Sequence, residues 1–129
     1  MANAPNILWV KGGTHKTGRA GATLTIAYLL DRGTSGTLIL ATSTRKATIG
    51  ISKNGFLSGD DASYHKGGQS TVYAGSNTVA AGDFLKVSSV DGVATTDGTS
   101  ASTAQSADTF GVALEPKDAD GYVIFEWTT

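Results

Sequence analysis

The chain has 129 residues, a formal net charge of −1 and no cysteine. This length fits one domain, or two very small ones, around a single core. A net charge near zero provides no general attraction to nucleic acid or to an anionic membrane, so neither is expected as a partner. The lack of cysteine excludes disulfides, thiolate metal sites and cysteine nucleophiles. No apolar stretch reaches the roughly eighteen residues of a membrane-spanning helix, and we expect no secretory leader from the first residues.

The first predicted unit, residues 1–21, consists of an N-terminal strand followed by a basic arm. Residues 11–21 (KGGTHKTGRAG) are rich in glycine and contain almost no apolar side chain. Such a composition is typical of a segment that is poorly structured alone, so a flexible Gly/Lys-rich arm is predicted. Residues 22–129 are predicted to form a single β-rich domain.

The next two segments of the chain have different patterns. Residues 23–30 (TLTIAYLL) fit a strand by their alternation and a helix by the spacing of Ile26, Leu29 and Leu30, so both structures stay open. Residues 36–42 (GTLILAT) and 45–51 (RKATIGI) each favour a strand, and we predict that they pair as a hairpin.

The second half of the chain contains four further strand patterns. The segment 84–90 is predicted to turn at Asp91-Gly92 into 92–96, because this dipeptide favours tight hairpin turns. Residues 97–108, small and polar throughout, predict a long exposed loop. A half-buried strand with Phe110, Val112 and Leu114 on one face then precedes the closing strand.

The closing strand, in DGYVIFEWTT, carries apolar side chains on both faces. Val123, Phe125 and Trp127 alternate with Tyr122, Ile124 and Glu126. Such a strand is central in its sheet, or one of its faces is covered by another chain. Short strands with turn signals at this spacing predict a mainly β fold, either a small antiparallel β-barrel or a sandwich.

A phosphate-loop pattern near the start offers an enzymatic alternative. The stretch KGGTHKT resembles the deviant phosphate-binding loop of ParA/MinD-type ATPases, and the matching positions are Lys11, Gly12, Gly13, Lys16 and Thr17. His15 stands where that family has a glycine that lets the backbone approach the phosphate. The chain is also too short for the alternating βα units of that fold, so the ATPase remains an alternative and not the main prediction.

Other chemical sites find little support in the sequence. His15 and His65, the only histidines, lie fifty positions apart with no clustered partner, so both are predicted at the surface and no metal site is expected. Asp118 and Asp120 fit an Asp-Gly turn, because their spacing does not match a calcium loop. A third alternative is a β-sandwich adhesion or carbohydrate-binding module, for which Tyr64 and Phe56 are the exposed aromatic candidates. We therefore predict no catalytic residue and no cofactor.

The second half resembles the head decoration (capsid cement) proteins of tailed bacteriophages, including those called capsid fibre proteins. The matching elements are a Gly-Asp strand start, a Gly-turned short strand, a Gly-Val-Ala strand and a closing Gly-x-Val strand. In this chain they are Gly82-Asp83, Gly92-Val93, Gly111-Val112-Ala113 and Gly121 with Val123. The resemblance covers roughly residues 79–129.

The resemblance implies a non-enzymatic structural protein of the virion. Such a protein binds the outer surface of the capsid, stabilises it, and commonly forms a homotrimer where capsomers meet. The implied partners are the major capsid protein and copies of the same chain, and the implied location is the capsid surface after assembly in the host cytoplasm. We expect the arm to dock on the shell, and the candidate contact residues for capsid or neighbouring subunit are Lys11, His15, Lys16, Arg19, Tyr122 and Ile124.

Overall fold

A computed structural model describes residues 9–43, 48–96 and 108–128. These residues form eleven β-strands and one 3-10 turn, Thr34–Gly36. The strands are β1 (Val10–Lys11), β2 (Thr14–Arg19), β3 (Leu29–Arg32), β4 (Leu38–Leu40), β5 (Gly50–Ser52), β6 (Asp61–Lys66), β7 (Gln69–Tyr73), β8 (Phe84–Val87), β9 (Ala94–Thr96), β10 (Gly111–Ala113) and β11 (Tyr122–Trp127). No helix in the described part of the chain is long and apolar enough to cross a membrane.

The strands form two antiparallel sheets. Sheet 1 has the order β1-β7-β11-β10-β8-β9, and sheet 2 has the order β2-β6-β5-β3-β4. Sheet 2 curls, so that Ala20 after β2 forms a bridge with Leu38 in β4, but it does not close into a barrel. The mainly β prediction is confirmed, and of its two architectures the sandwich is the one observed.

A bent two-stranded ribbon connects the sheets. β1 pairs with β7 in sheet 1, and their continuations β2 and β6 pair in sheet 2. Both strands cross between the sheets at consecutive glycines, which we call the glycine bend: Gly12-Gly13 and Gly67-Gly68, all four with positive φ. A Cβ on Gly13 would lie 2.6 Å from the Lys66 carbonyl oxygen, so only glycine lets the two backbones approach this closely.

The main core lies between the sheets. Phe125 is fully buried at its centre, and its ring contacts those of Phe110 and Trp127 at centroid distances of 5.3 and 5.1 Å. Leu29 and Ile51 contribute from sheet 2. The alternation predicted for the closing strand is confirmed: its Phe125 face points inward, and β11 is central, between β7 and β10.

A second, smaller core lies on the opposite side of sheet 2. It contains Leu24, Leu30, Leu38 and Tyr64, all nearly or fully buried. Gly18 in β2 leaves room for Leu38, whose Cδ1 would be 3.1 Å from a Cβ at that position. Both sides of sheet 2 are therefore partly covered, which explains why its strands do not show a simple alternation.

Several local predictions differ from the structure. The segments 36–42 and 45–51 do not pair as a hairpin, because β3 lies between β4 and β5 and pairs with both. Residues 44–47 of that stretch lie outside the described residues. The segment 23–30 is neither a full strand nor a helix: a turn at 25–28 precedes β3, which begins at Leu29.

The strand at 110–114 was predicted to bury its Phe110, Val112 and Leu114 face, and in part the opposite face is the buried one. Gly111 and Ala113 point into the core, because they pair with Trp127 and Phe125 on the inner face of β11. Leu114 is 39% exposed. The hairpin of β8 and β9 through Asp91-Gly92 is confirmed. Most of the predicted loop at 97–108 lies outside the described residues.

The segment predicted to be a flexible arm contains a regular strand. Thr14–Arg19 forms β2 and pairs with all of β6, from Thr14 opposite Lys66 to Arg19 opposite Asp61. The prediction failed because β2 has hardly any apolar side chain. Its order comes from backbone hydrogen bonds and from the glycine bend, and neither leaves a hydrophobic pattern in the sequence.

Candidate interaction surface

β2 is the terminal strand of sheet 2 and lies largely in solvent. Five of its six residues are exposed, and Gly18 is half-buried. On one side β2 pairs with β6. On the other side no strand of the described residues pairs with residues 14–18, whereas the end of β2 at Arg19 adjoins β4 through the parallel bridge between Ala20 and Leu38. We call this unpaired side of residues 14–18 the free edge of β2.

The backbone groups on the free edge follow from the pairing with β6. The amide of Ala20, next to β2, donates to the Asp60 carbonyl at 2.8 Å, so Ala20 bonds inward to the ladder. Hydrogen-bonding direction alternates along an antiparallel strand. Consequently the N–H and C=O groups of His15 and Thr17 point toward the free edge, whereas the Arg19 carbonyl faces the Leu38 amide in the parallel bridge.

The structure does not gather the six predicted contact residues on one face. Lys11 lies in β1 of sheet 1, opposite Gln69. The side chain of Lys16 points to one face of β2, and those of His15 and Arg19 point to the other, because side chains alternate along a strand. Only His15, Lys16 and Arg19 lie in the same element, the strand β2.

The remaining two predicted residues lie on the outer face of sheet 1. Tyr122 and Ile124 are half-buried residues of β11, where they pair with Tyr73 and Thr71 of β7. They are separated from β2 by the glycine bend. The structure therefore divides the predicted site into two surfaces.

The two histidines, predicted to be separate surface residues, form a cross-strand pair. His15 lies directly opposite His65, with ring centroids 5.1 Å apart, and His65 is fully buried. His65 Nε2 is 2.7 Å from the Gly12 carbonyl oxygen. A carbonyl only accepts hydrogen bonds, so Nε2 carries the proton and the ring ties β6 to the glycine bend.

A repeated tripeptide could have revealed this arrangement. Lys11-Gly12-Gly13 precedes β2, and Lys66-Gly67-Gly68 begins at the last residue of β6. Two copies of the same glycine pair, one at each crossing of the ribbon, form the bend. Taken alone, the first copy resembles a phosphate loop, and only its comparison with the second copy indicates the bend.

Positive charge concentrates around β2. The pKa of His15 is lowered, first by loss of hydration and then by the charges of Lys53 and His65. The pKa of Lys66 is lowered by burial and then by Lys16, and its Nζ lies 4.7 Å from the centre of the Trp127 ring. In both cases a neighbouring cation is the second cause of the lowered pKa, after loss of hydration.

Arg19 forms an ion pair with Asp61 across the ladder, with 3.9 Å between Nη2 and Oδ1. Both side chains are mostly exposed, at 68% and 91%. Solvent screens such a pair, so it contributes little to stability. Arg19 thus stays available for a partner.

A second surface is the tyrosine cluster, Tyr28, Tyr73 and Tyr122. Tyr28 stacks on Tyr73 with a centroid distance of 5.4 Å and an interplanar angle of 8°, and Tyr122 contacts Tyr73 at 5.1 Å. All three are half-buried. Burial raises the pKa of Tyr122 most, and the neighbouring tyrosines and then Asp118 and Asp120 raise it further. The cluster combines aromatic rings with nearby carboxylates.

The geometry contradicts the phosphate-loop alternative. In such a loop the lysine and threonine begin a helix whose N-terminus faces the phosphates. Here Lys16 and Thr17 lie within β2, an antiparallel strand. The segment from Gly13 to Thr17 therefore does not adopt the conformation of a phosphate-binding loop.

The aromatic and acidic candidates also have other roles. Tyr64 is buried in the second core and Phe56 is half-buried against it, so the expected exposed pair is wrong. Asp118 Oδ1 accepts hydrogen bonds from the amides of Asp120 and Tyr122, as expected for a turn. Among the described residues, no three histidine, aspartate or glutamate side chains cluster as a metal site.

The comparisons with known proteins give a likeness in fold. The sequence matches no protein-family model and no curated protein. The structure is similar to that of the head fiber gp8.5 N base of bacteriophage phi29, with a TM-score of 0.64 and 20% sequence identity. The match covers 89% of this chain and 93% of that chain. At this identity, the likeness shows a shared fold.

Proposed function

We propose that this chain is a non-enzymatic structural protein of a tailed-phage virion that binds the outer surface of the head and stabilises it. The observation that carries the proposal is the fold match to a head fiber base, which extends over nearly all of both chains. The resemblance of residues 79–129 to decoration proteins points the same way and rests on different evidence, namely turn and strand motifs.

The proposed partners are the major capsid protein and further copies of this chain, arranged as a homotrimer on the capsid surface. Assembly would take place in the host cytoplasm. The division of the contact residues into two surfaces supports two kinds of contact. We assign His15, Lys16 and Arg19 to the shell, with Lys11 beside them, and the tyrosine cluster with Ile124 to the neighbouring subunit.

Binding to purified heads that lack this chain tests the proposal. We expect the full chain to sediment with such heads and to raise the temperature at which they release their DNA. The variant Lys16→Glu/Arg19→Glu should bind less, because it reverses the exposed charge of β2. Lys86→Glu in β8 of sheet 1 is the matched control and should bind normally. A chain that never sediments with heads refutes the proposal.

A carbohydrate-binding role is the second candidate, and the tyrosine cluster favours it. Aromatic rings beside carboxylates are a common lining for sugars, since rings stack on C–H faces and carboxylates accept hydrogen bonds from hydroxyls. Asp118 accepts a hydrogen bond from the Tyr122 amide, and the carboxylates of Asp118 and Asp120 both raise the pKa of the Tyr122 hydroxyl. Binding on a glycan array that is lost in Tyr122→Ala, without binding to heads, would favour this function over the first.

A further inference from the structure

We infer that the free edge of β2 binds an extended, acidic segment of the shell protein as an additional strand of sheet 2. The identity of the partner rests on the proposed function. The surface itself and the chemistry of its ligand are argued from the edge alone.

The backbone of β2 offers a template for strand addition. Of the four strands that end the two sheets, β2 is the longest, with six residues against two in β1 and three each in β4 and β9. His15 and Thr17 each present an N–H and a C=O toward the free edge. Such a row of groups is what an extended peptide uses to extend a sheet.

The side chains of β2 select the charge of the ligand. Lys16 projects to one face, and His15 and Arg19 project to the other, where Lys53 also acts on His15. A strand added here would place its side chains directly beside these cations. Like charges opposite one another destabilise a sheet, so a second copy of β2 is a poor ligand, whereas a segment with carboxylates on both faces is favoured.

Lysine on an edge strand also has a purely protective role, since it discourages pairing with other edges. The two roles are compatible. Lysine rejects apolar and basic strands, and it leaves acidic strands as the class that gains from pairing. Asp61 is the one carboxylate that forms an ion pair with β2 within the described residues, and that pair is exposed.

The glycine bend holds the edge in place before binding. Gly13 packs against the backbone of Gly67 and Lys66, and His65 Nε2 donates to the Gly12 carbonyl at 2.7 Å. β2 is thus anchored at its first residues, and Leu38 packs over Gly18 near its end. A preformed edge binds more tightly than a flexible arm, because less chain entropy is lost on binding.

The test uses the full chain and two synthetic peptides. One peptide repeats Glu-Glu-Val-Val, which places glutamate on both faces of an extended strand, and the other has lysine in place of each glutamate. Amide hydrogen exchange by NMR reports which N–H groups become protected. Thr17→Pro removes one N–H from the free edge and keeps the hydrogen bonds to β6. Proline is tolerated in edge strands at positions whose N–H faces solvent. Lys16→Glu tests charge, and Lys86→Glu is its control.

We expect the glutamate peptide to protect the amides of His15 and Thr17 and the lysine peptide to leave them unchanged. Thr17→Pro should weaken binding about tenfold, the effect of one lost hydrogen bond. Lys16→Glu should weaken it as well, and Lys86→Glu should not. If Thr17→Pro does not fold, the inference is still tested by amide protection in the original chain and by peptide binding to the Lys16→Glu variant.

Three results overturn the inference. The first is no binding of the glutamate peptide at millimolar concentration, and the second is equal binding of both peptides. The third is binding that leaves the amides of His15 and Thr17 unprotected, which would indicate attraction by charge alone. None of these results affects sedimentation with heads, so failure of the inference and failure of the proposed function are distinguishable.

Discussion

Replacing Gly13 by alanine should strongly destabilise the fold, because the glycine bend has no room for a side chain. A Cβ at this position would lie 2.6 Å from both His65 Nε2 and the Lys66 carbonyl oxygen, and in contact with the Gly67 carbonyl. The φ of Gly13, +72°, is also unfavourable for alanine, at a cost of about 1–2 kcal/mol. The steric conflict adds about 1–3 kcal/mol, so we expect a total loss of about 2–5 kcal/mol.

Urea denaturation followed by circular dichroism measures this loss, and Gly36→Ala is the matched control. Gly36 has nearly the same φ, +76°, but nothing lies within 4 Å of its Cβ position. The control should therefore lose only about 1–2 kcal/mol, the conformational part. Equal destabilisation in the two variants would refute the claim that close packing of the two strands shapes the bend.

Three further predictions follow from the core, the charges and the first strands. Phe125→Ala should reduce the free energy of unfolding by about 3–5 kcal/mol in urea denaturation, because it empties the centre of the main core. Folding holds the pKa of His15 below its ordinary value, so the unfolded chain takes up the proton more readily. The free energy of unfolding should therefore decrease as the pH drops through about 6.5, and this decrease should be smaller in His15→Gln. Millimolar ATP with magnesium should leave the melting temperature unchanged, whereas a bound nucleotide at a hundred times its Kd would add about 2.7 kcal/mol of stability and restore the ATPase alternative.

The strands that carry a hydrophobic pattern were predictable from the sequence. The closing strand is apolar on both faces, which predicts a central strand, and the structure has it at the centre of sheet 1 with Val123 and Phe125 inward. The hairpin at Asp91-Gly92 was predictable because the turn and both strands are adjacent in sequence. Local patterns of this kind record burial directly.

The candidate site was predictable only in its charges. Lys16 and Arg19 were singled out as contact residues, but the composition around them indicated an arm and not a strand. The pairing of His15 with His65 depends on contacts fifty residues apart, and no local pattern reports it. The face of Val112 was misassigned for a related reason: the neighbouring strand decides which side of β10 is buried.

By itself the sequence determined the class of fold, because turn dipeptides and alternating apolar residues act over a few positions. It also determined the positive charge near the start of the chain, whereas the tyrosine cluster became visible only in the structure. Only the tertiary structure decided that a glycine-rich polar segment becomes an ordered edge strand. That outcome depends on backbone hydrogen bonds to β6 and on two distant glycine pairs that meet at one bend, and backbone bonding has no side-chain signature.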